Sequence, residues 1–209
     1  MKLWTKICGI TRAEDAVVAA EAGADAIGIN FFEESQRYCD AATAAGIVSA
    51  VGDRVVVYGV FVGASPADVS AMVRRTGIGG VQLHGGERPA DVERFCMTVG
   101  GELDWIRAVA VTSRETVVEA VVEARGYRVL FDSPRGGGSG SCFDEQLVSG
   151  VSLSDAIVAG GLTPDNVGEL VDRLRPFGVD SAGGVELSPG VKDHVRIREF
   201  IDHARASAT

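Results

Sequence analysis

Short apolar runs recur along the chain, and segments with the spacing of amphipathic helices separate them. Several runs are almost continuously apolar and rich in β-branched residues, as expected for parallel strands covered on both faces. The pattern predicts eight strands, at residues 3–9, 24–31, 55–62, 80–85, 103–111, 127–133, 155–161 and 178–184. Strands that alternate with helices in this way form a parallel sheet.

The intervening segments carry helix signals. Apolar residues at positions 167, 170, 171 and 174 follow helical spacing, and so do those at 197, 200, 201 and 204. Thr11 and Glu14 match a capping box. Ser65-Pro66 and Thr163-Pro164 each place a capping residue before a first-turn proline. We therefore expect a helix after each strand.

Eight strand–helix units favour a closed (βα)8 barrel, a TIM barrel, with residues 1–209 forming one domain. The length lies towards the lower end of the range for such barrels. The alternative is an open, doubly wound sheet, which normally carries G-x-G-x-x-G after its first strand. The sequence at that point is CGITRAED, so the barrel is the favoured fold.

Composition argues against several classes of function. The formal net charge is −9 and no stretch is rich in Lys and Arg, so we expect no nucleic-acid partner. No apolar run reaches the roughly 20 residues of a membrane span, and no secretory leader is visible. We therefore expect a cytoplasmic protein without a membrane partner.

The four cysteines, at positions 8, 39, 96 and 142, form no C-x-x-C pair. With only three histidines in the chain, the spacing of a zinc site is absent, and we expect no metal. Unpaired cysteines fit a reducing compartment. Cys96 falls within an amphipathic helix, where a packing role is expected, whereas Cys39 and Cys142 fall in loops.

Chemically capable residues gather where the predicted strands end, which is where barrels of this kind place their active sites. The first strand ends at Cys8, the fourth at His84 and the sixth at Asp132. Arg37 follows the second strand, and Asp180 lies in the eighth. A guanidinium group at this face suits a carboxylate ligand.

Each of these residues also has an ordinary structural interpretation. Cys8 can be a packing group, Asp132 can cap a turn or pair with Arg135, and Arg37 and His84 can make local surface contacts. An aspartate at the end of a buried strand is nevertheless costly unless it is hydrogen-bonded or functional. The glycine-rich segment SPRGGGSG, residues 133–140, fits either a mobile lid or a loose surface loop.

Two glycine-rich turns follow the last two strands. Gly160-Gly161 follows the seventh strand and Gly183-Gly184 the eighth, the positions at which barrels commonly hold a phosphate. Backbone N–H groups can approach an anion closely there because glycine has no side chain to obstruct them. We therefore expect a phosphate site at these two turns.

Five segments together resemble the phosphoribosylanthranilate isomerase family: KICGIT, GVQLHG, LFDSPRGGGSG, IVAGGLTPDNV and GVDSAGGVELSPGVKD. They occur in the family's order, and the resemblance extends from Lys6 to Asp193. It implies a (βα)8 barrel and a cofactor-free Amadori rearrangement in tryptophan biosynthesis. The implied substrate is a small phosphorylated sugar, N-(5-phosphoribosyl)anthranilate, and the product is 1-(2-carboxyphenylamino)-1-deoxyribulose 5-phosphate.

The resemblance also implies roles for the candidate residues. Cys8 matches the general base, Asp132 the general acid, and Arg37 the arginine that binds the anthranilate carboxylate. The expected substrate-binding residues are Arg37, His84, Gly160, Gly161, Asp180, Gly183 and Gly184. Of these, Gly161 and the Gly183-Gly184 turn match the phosphate site, and Asp180 matches an aspartate that orients the substrate. One acid and one base with separated pKa values are the minimum requirement for this reaction.

Two departures from the family pattern predict weaker substrate binding. The family's S-P-R-Y is Ser35-Gln36-Arg37-Tyr38 here, and loss of the proline should loosen the loop. The family's S-S-G-V-E is AGGVE, residues 182–186, so hydroxyl donors to the phosphate are lost and backbone N–H groups are left alone.

Other functions stay open at this point. A histidine-pathway or bisubstrate phosphoribosyl isomerase is disfavoured because that chemistry uses an aspartate where Cys8 stands. A non-catalytic phosphosugar-binding barrel is disfavoured because both Cys8 and Asp132 are present. Monomer and homodimer are equally compatible with the sequence.

Overall fold

The computed structural model describes residues 2–134 and 144–208. Its centre is a closed barrel of eight parallel strands in sequence order. The strands are β1 Trp4–Cys8, β2 Ala26–Asn30, β3 Val56–Phe61, β4 Gly80–Leu83, β5 Asp104–Ala110, β6 Arg128–Asp132, β7 Ala156–Val158 and β8 Gly178–Ser181. Strand β1 pairs with both β2 and β8, which closes the ring. The predicted barrel is confirmed, and the open-sheet alternative is wrong.

Seven α-helices surround the barrel within the described ranges. They are α1 Ala13–Glu21, α2 Ala41–Val51, α3 Pro66–Thr76, α4 Pro89–Val99, α5 Arg114–Glu123, α6 Val167–Leu174 and α7 His194–Ala206. The expectation of a helix after every strand is wrong for the described part of the sixth unit, where Glu145–Val148 forms one short 3-10 turn. Most of the predicted lid, from residue 135 onwards, lies outside the described residues, as do Arg135 and Cys142.

Helix starts follow the sequence signals in part. Ser65 caps α3, because its hydroxyl accepts the Asp68 N–H at 3.2 Å and donates to the Asp68 carboxylate at 2.6 Å. The capping box expected at Thr11 is wrong, because that hydroxyl donates instead to the Gly190 carbonyl at 2.6 Å. Thr163 caps a turn that precedes α6, accepting the Asp165 N–H at 3.2 Å.

The contact of Thr11 with Gly190 joins the end of β1 to an antiparallel hairpin beyond β8. Its strands are β9 Glu186–Ser188 and β10 Val191–Lys192. The sequence pattern did not predict this hairpin. It lies beside the carboxyl ends of the barrel strands, and two of its side chains enter the site described below.

Apolar side chains form two separate cores. The larger lies between strands and helices and includes Ile7, Ile27, Phe131 and Phe200. The smaller fills the barrel interior and comprises Ala26, Tyr58, Ile106, Ala108, Leu130, Ile157 and Ala159. Successive residues of a strand point to opposite faces, so strands such as β2, β3, β5, β6 and β7 contribute to both cores. Within the described ranges, no helix has the length and apolar character needed to cross a bilayer.

Candidate active site

A cavity of about 750 Å³ opens at the carboxyl ends of the barrel strands. Its walls include every site residue singled out from the sequence: Cys8, Arg37, His84, Asp132, Gly160, Gly161, Asp180, Gly183 and Gly184. These residues come from segments distributed along the whole chain, and they meet because the strands that carry them form a closed barrel. The predicted convergence at one face is therefore observed.

The thiol of Cys8 lies half-buried at the end of β1. Its neighbour in the adjacent strand is Gly28, and a Cβ there would stand 2.7 Å from Cys8 Sγ. The glycine therefore leaves room for the thiol inside the barrel. Burial raises the pKa of the Cys8 thiol, while the positive charge of Lys6 acts in the opposite direction.

A buried ion pair lies next to the thiol. Lys6 and Asp180 are register partners across the β1–β8 seam, and Lys6 Nζ lies 3.1 Å from Asp180 Oδ2. Burial raises the pKa of Asp180, and the charge of Lys6 offsets only part of that rise. Burial lowers the pKa of Lys6, but the interactions of its ammonium group with Asp180 and Cys8 have a larger effect. The pKa of Lys6 is therefore raised.

Asp132 ends β6 with its carboxyl group facing the cavity at 4% residue exposure. Its Oδ1 accepts the Ser133 N–H at 2.8 Å, and its Oδ2 lies 3.4 Å from His84 Nε2. A Cβ on Gly160 would lie 2.9 Å from Asp132 Oδ1 and 2.7 Å from the Ser133 nitrogen. The turn after β7 can therefore approach this carboxyl group only because residue 160 is glycine.

Arg37 is held by a carboxylate from the hairpin. Its Nε and Nη2 donate to the two oxygens of Glu186 at 2.8 and 2.7 Å, a bidentate pair. The Ser35 hydroxyl accepts the Arg37 N–H and an Asn30 side-chain N–H, both at 3.1 Å. These contacts position Arg37 in the loop where Gln36 replaces the family's proline.

Lys192 connects the hairpin to two strand ends. Its buried Nζ donates to the Cys8 carbonyl at 2.6 Å, to the Ala182 carbonyl at 3.0 Å and to Glu186 Oε1 at 2.9 Å. Burial raises the pKa of Glu186, but Arg37 and Lys192 outweigh this and lower it below its usual range. Burial lowers the pKa of Lys192.

The two glycine turns pack against each other. Gly160 and Gly161 have positive φ angles of 86° and 69°, and a Cβ on Gly184 would stand 1.8 Å from the Leu162 carbonyl oxygen. Arg196, from α7, donates through Nε to the Gly184 carbonyl at 2.9 Å and also lines the cavity. A guanidinium group therefore lies beside the predicted phosphate cradle, in addition to the backbone N–H groups that the sequence predicts there.

Sequence reasoning missed five side chains in and around the site: Lys6, Gln82, Glu186, Lys192 and Arg196. Lys6 and Gln82 carried a readable signal, since each lies two positions before a candidate residue in its strand and so shares its face. Within the described residues, Gln82 Oε1 is buried without a hydrogen-bond partner. Glu186 and Lys192 depend on contacts with Arg37 and Cys8 in distant parts of the chain, and Arg196 depends on its contact with the turn at Gly184.

The remaining described cysteines lie away from the cavity. Cys39 is buried in the core, where burial raises the pKa of its thiol to about 11. Cys96 packs half-buried from α4, as predicted. In the ranges that the structure describes, no group of three or more His, Cys, Asp or Glu side chains is arranged to hold a metal ion.

Fold and site together define a (βα)8-barrel enzyme whose cavity lies at the carboxyl ends of its strands. The chain belongs to the N-(5′-phosphoribosyl)anthranilate isomerase family, whose family profile matches residues 5–203. The N-(5′-phosphoribosyl)anthranilate isomerase of Myxococcus xanthus is 42% identical over 213 residues, covering 99% of this chain and 98% of the relative.

Solved structures agree with this assignment. Phosphoribosyl anthranilate isomerase from Thermotoga maritima superimposes with a TM-score of 0.86 at 35% identity, covering 98% of this chain and 99% of that one. A further structure of a phosphoribosyl anthranilate isomerase, in complex with reduced 1-(o-carboxyphenylamino)-1-deoxyribulose 5-phosphate, gives a TM-score of 0.83 at 34% identity with the same coverage.

Proposed function

We propose that this protein converts N-(5′-phosphoribosyl)anthranilate to 1-(o-carboxyphenylamino)-1-deoxyribulose 5-phosphate, an Amadori rearrangement in tryptophan biosynthesis. The observation that carries the proposal is the meeting of Cys8 and Asp132 in one cavity at the strand ends. A relative that binds the reduced form of this product, 34% identical to the chain, supports the choice of substrate.

In the proposed reaction, Asp132 is the general acid and Cys8 the general base. Asp132 donates a proton to the ribose ring oxygen as the bond from that oxygen to C1′ breaks, and the anilino nitrogen becomes an iminium. The Cys8 thiolate then removes the proton on C2′, and the electron pair forms an enolamine. The enolamine tautomerises to the ketone. Hydrogen moves within the substrate, so no external oxidant or reductant is consumed.

Two anchors hold the substrate between acid and base. Arg37 binds the anthranilate carboxylate, with Glu186 fixing the orientation of its guanidinium group. The turns at Gly160-Gly161 and Gly183-Gly184 bind the phosphate, and Arg196 adds a positive charge beside them. Holding both ends places the sugar near the reacting groups and lowers the entropic cost of the reaction.

Two further residues complete the proposed site. Asp180 Oδ1 is buried without a hydrogen-bond partner within the described residues, and it accepts a sugar hydroxyl in the complex. His84 orients the Asp132 carboxyl group from 3.4 Å. Residues 1–209 act as a single catalytic domain, and a phosphorylated sugar substrate fits a cytoplasmic location.

Cys8→Ala and Asp132→Ala test the assignment of base and acid. Each should lower kcat by about 10²–10⁴-fold, because each removes one proton-transfer group. The measurement is consumption of N-(5′-phosphoribosyl)anthranilate by purified protein, with folding checked by circular dichroism.

Cys96→Ala is the matched control, since that thiol packs in α4 away from the cavity, and its kcat should equal that of the wild type. Full turnover in folded Cys8→Ala or Asp132→Ala would contradict the assigned roles. Comparable turnover of the histidine-pathway substrate by the wild type would favour the bisubstrate alternative.

A further inference from the structure

A fully buried lysine lies beside the thiol and has no part in the reaction as described. Lys6 stands two residues before Cys8 in β1, so both side chains point into the barrel. The Lys6 side chain is 0% exposed, a rare position for lysine. A Cβ on Gly28 would lie 2.7 Å from Cys8 Sγ and 3.2 Å from Lys6 Nζ, so the two groups border the same small space.

Stability alone does not account for this lysine. Burying an ammonium group costs several kcal/mol, and its carboxylate partner must be desolvated too. Replacing such a pair with apolar groups of similar volume is often neutral or stabilising. Lys6 contacts Asp180 Oδ2 at 3.1 Å, yet Nζ has no well-aligned hydrogen bond within the described residues. A buried positive charge that lies next to a thiol and has an ion-pair partner but, among the described residues, no well-aligned hydrogen bond indicates a functional role.

Other charged groups surround the thiol. Asp180 faces it from β8 and disfavours the thiolate, whereas Lys192 faces it from β10 and favours it. Arg37 approaches from the loop after β2, and Asp132 at the end of β6 and His84 just after β4 line the same cavity. Among the groups that favour the thiolate, Lys6 has the largest influence.

We propose that Lys6, held in place by Asp180, is a positioning residue that stabilises the thiolate form of Cys8. The inference rests on the proposed function, in which this thiolate acts as the general base. The acidity of the thiol is itself a property of the substrate-free protein and can be measured without turnover.

Lys6→Met is the direct test, because methionine keeps an unbranched chain and removes the charge. The pH profile of Cys8 alkylation by iodoacetamide, resolved by peptide mass spectrometry, should move upward by at least about one unit. At a fixed pH on the rising limb, alkylation should slow about tenfold. The rising limb of kcat/KM should move with it, and alkylation of Cys96 should not change.

Two further variants separate charge from structure. Lys6→Met/Asp180→Asn replaces the ion pair with a neutral pair, so folding is protected while the positive charge stays absent. Its alkylation profile should still lie above that of the wild type, because Lys6 influences the thiol more than Asp180 does. Asp180→Asn alone removes a negative charge and should move the profile downward.

A wild-type alkylation profile in folded Lys6→Met and in the double variant would overturn the inference. Failure of the wild type to convert N-(5′-phosphoribosyl)anthranilate would instead overturn the proposed function. In that event the alkylation profiles would still decide whether Lys6 controls the thiol, so the two failures are distinguishable.

Discussion

At the residue scale, the site depends on glycines, which have no side chain, as much as on the residues that carry functional groups. Gly28 gives space to the thiol, Gly160 lets a turn approach the Asp132 carboxyl group, and Gly184 lies against the Leu162 carbonyl. In each case, a Cβ atom added to the glycine would clash with backbone atoms or with a side chain of the site. Glycine at these positions therefore reflects close packing of the site as well as freedom to turn.

Gly184→Ala should damage both stability and binding. A Cβ 1.8 Å from the Leu162 oxygen forces the two phosphate turns apart. We expect a loss of at least about 1–3 kcal/mol in the free energy of unfolding and a raised KM. Urea denaturation and steady-state kinetics measure the two effects.

Gly46→Ala is the matched control for this substitution. Gly46 lies inside α2, and a Cβ there would meet nothing within 4 Å. The change should raise the free energy of unfolding by about 0.5–1 kcal/mol, because alanine loses less conformational entropy in a helix. Similar effects from both substitutions would contradict the packing argument.

At the element scale, the sequence predicted the barrel well because the signals are local and repeated. All eight apolar runs are strands, and the residues at their ends line one cavity. The prediction failed at Thr11, whose hydroxyl bonds Gly190 at the other end of the chain instead of the nearby helix. Tertiary contact overrode local propensity there, and no local pattern signals such a contact.

The β9–β10 hairpin escaped prediction for a related reason. Its strands have three and two residues, too few for a periodic pattern to emerge. Its functional side chains act on distant partners, since Glu186 pairs with Arg37 across 149 positions of sequence. Site residues on repeated strands were therefore predictable, whereas those supplied by this appended element were not.

Glu186→Gln tests whether the hairpin prepares Arg37 for its ligand. The change keeps the shape and removes the charge that holds the guanidinium group. Charge-assisted hydrogen bonds contribute about 1.5–3 kcal/mol. We expect KM to rise roughly tenfold or more, with a smaller change in kcat, in steady-state assays. An unaltered KM would show that Arg37 needs no such support.

At the scale of the whole molecule, the two ends of the barrel serve different purposes. The carboxyl end carries the cavity, and the opposite end carries interactions that join the chain termini to the barrel. There Asp25 accepts hydrogen bonds from Lys2, Thr5 and Arg205. Such a division is common in this fold, where chemistry gathers at one face and stability at the other.

Asp25→Asn should therefore lower stability and leave catalysis intact. Burial raises the pKa of Asp25, but Lys2, Thr5 and Arg205 outweigh this and lower it. The contribution of the ionised Asp25 carboxylate to the free energy of unfolding is complete above the ordinary aspartate pKa of 3.8. It is lost as the pH falls through the lower pKa of the folded state. We expect a loss of about 1–2 kcal/mol at pH 7.

Urea denaturation across the acid range measures this effect. The difference between Asp25→Asn and the wild type should shrink as the pH falls below 3.8. Values of kcat and KM at 25 °C should match those of the wild type. A difference independent of pH would show that the charge of Asp25 does not contribute.

Lys6 and Asp180 belong to the first and the last barrel strands. Their contact exists only after β8 has been synthesised and has paired with β1. A truncated chain that stops before β8 would keep Lys6 next to Cys8 but would lack Asp180, the residue that holds the lysine in place. We therefore expect the acidity of the Cys8 thiol to change when β8 pairs with β1, so that alkylation of this cysteine can follow the closure of the ring.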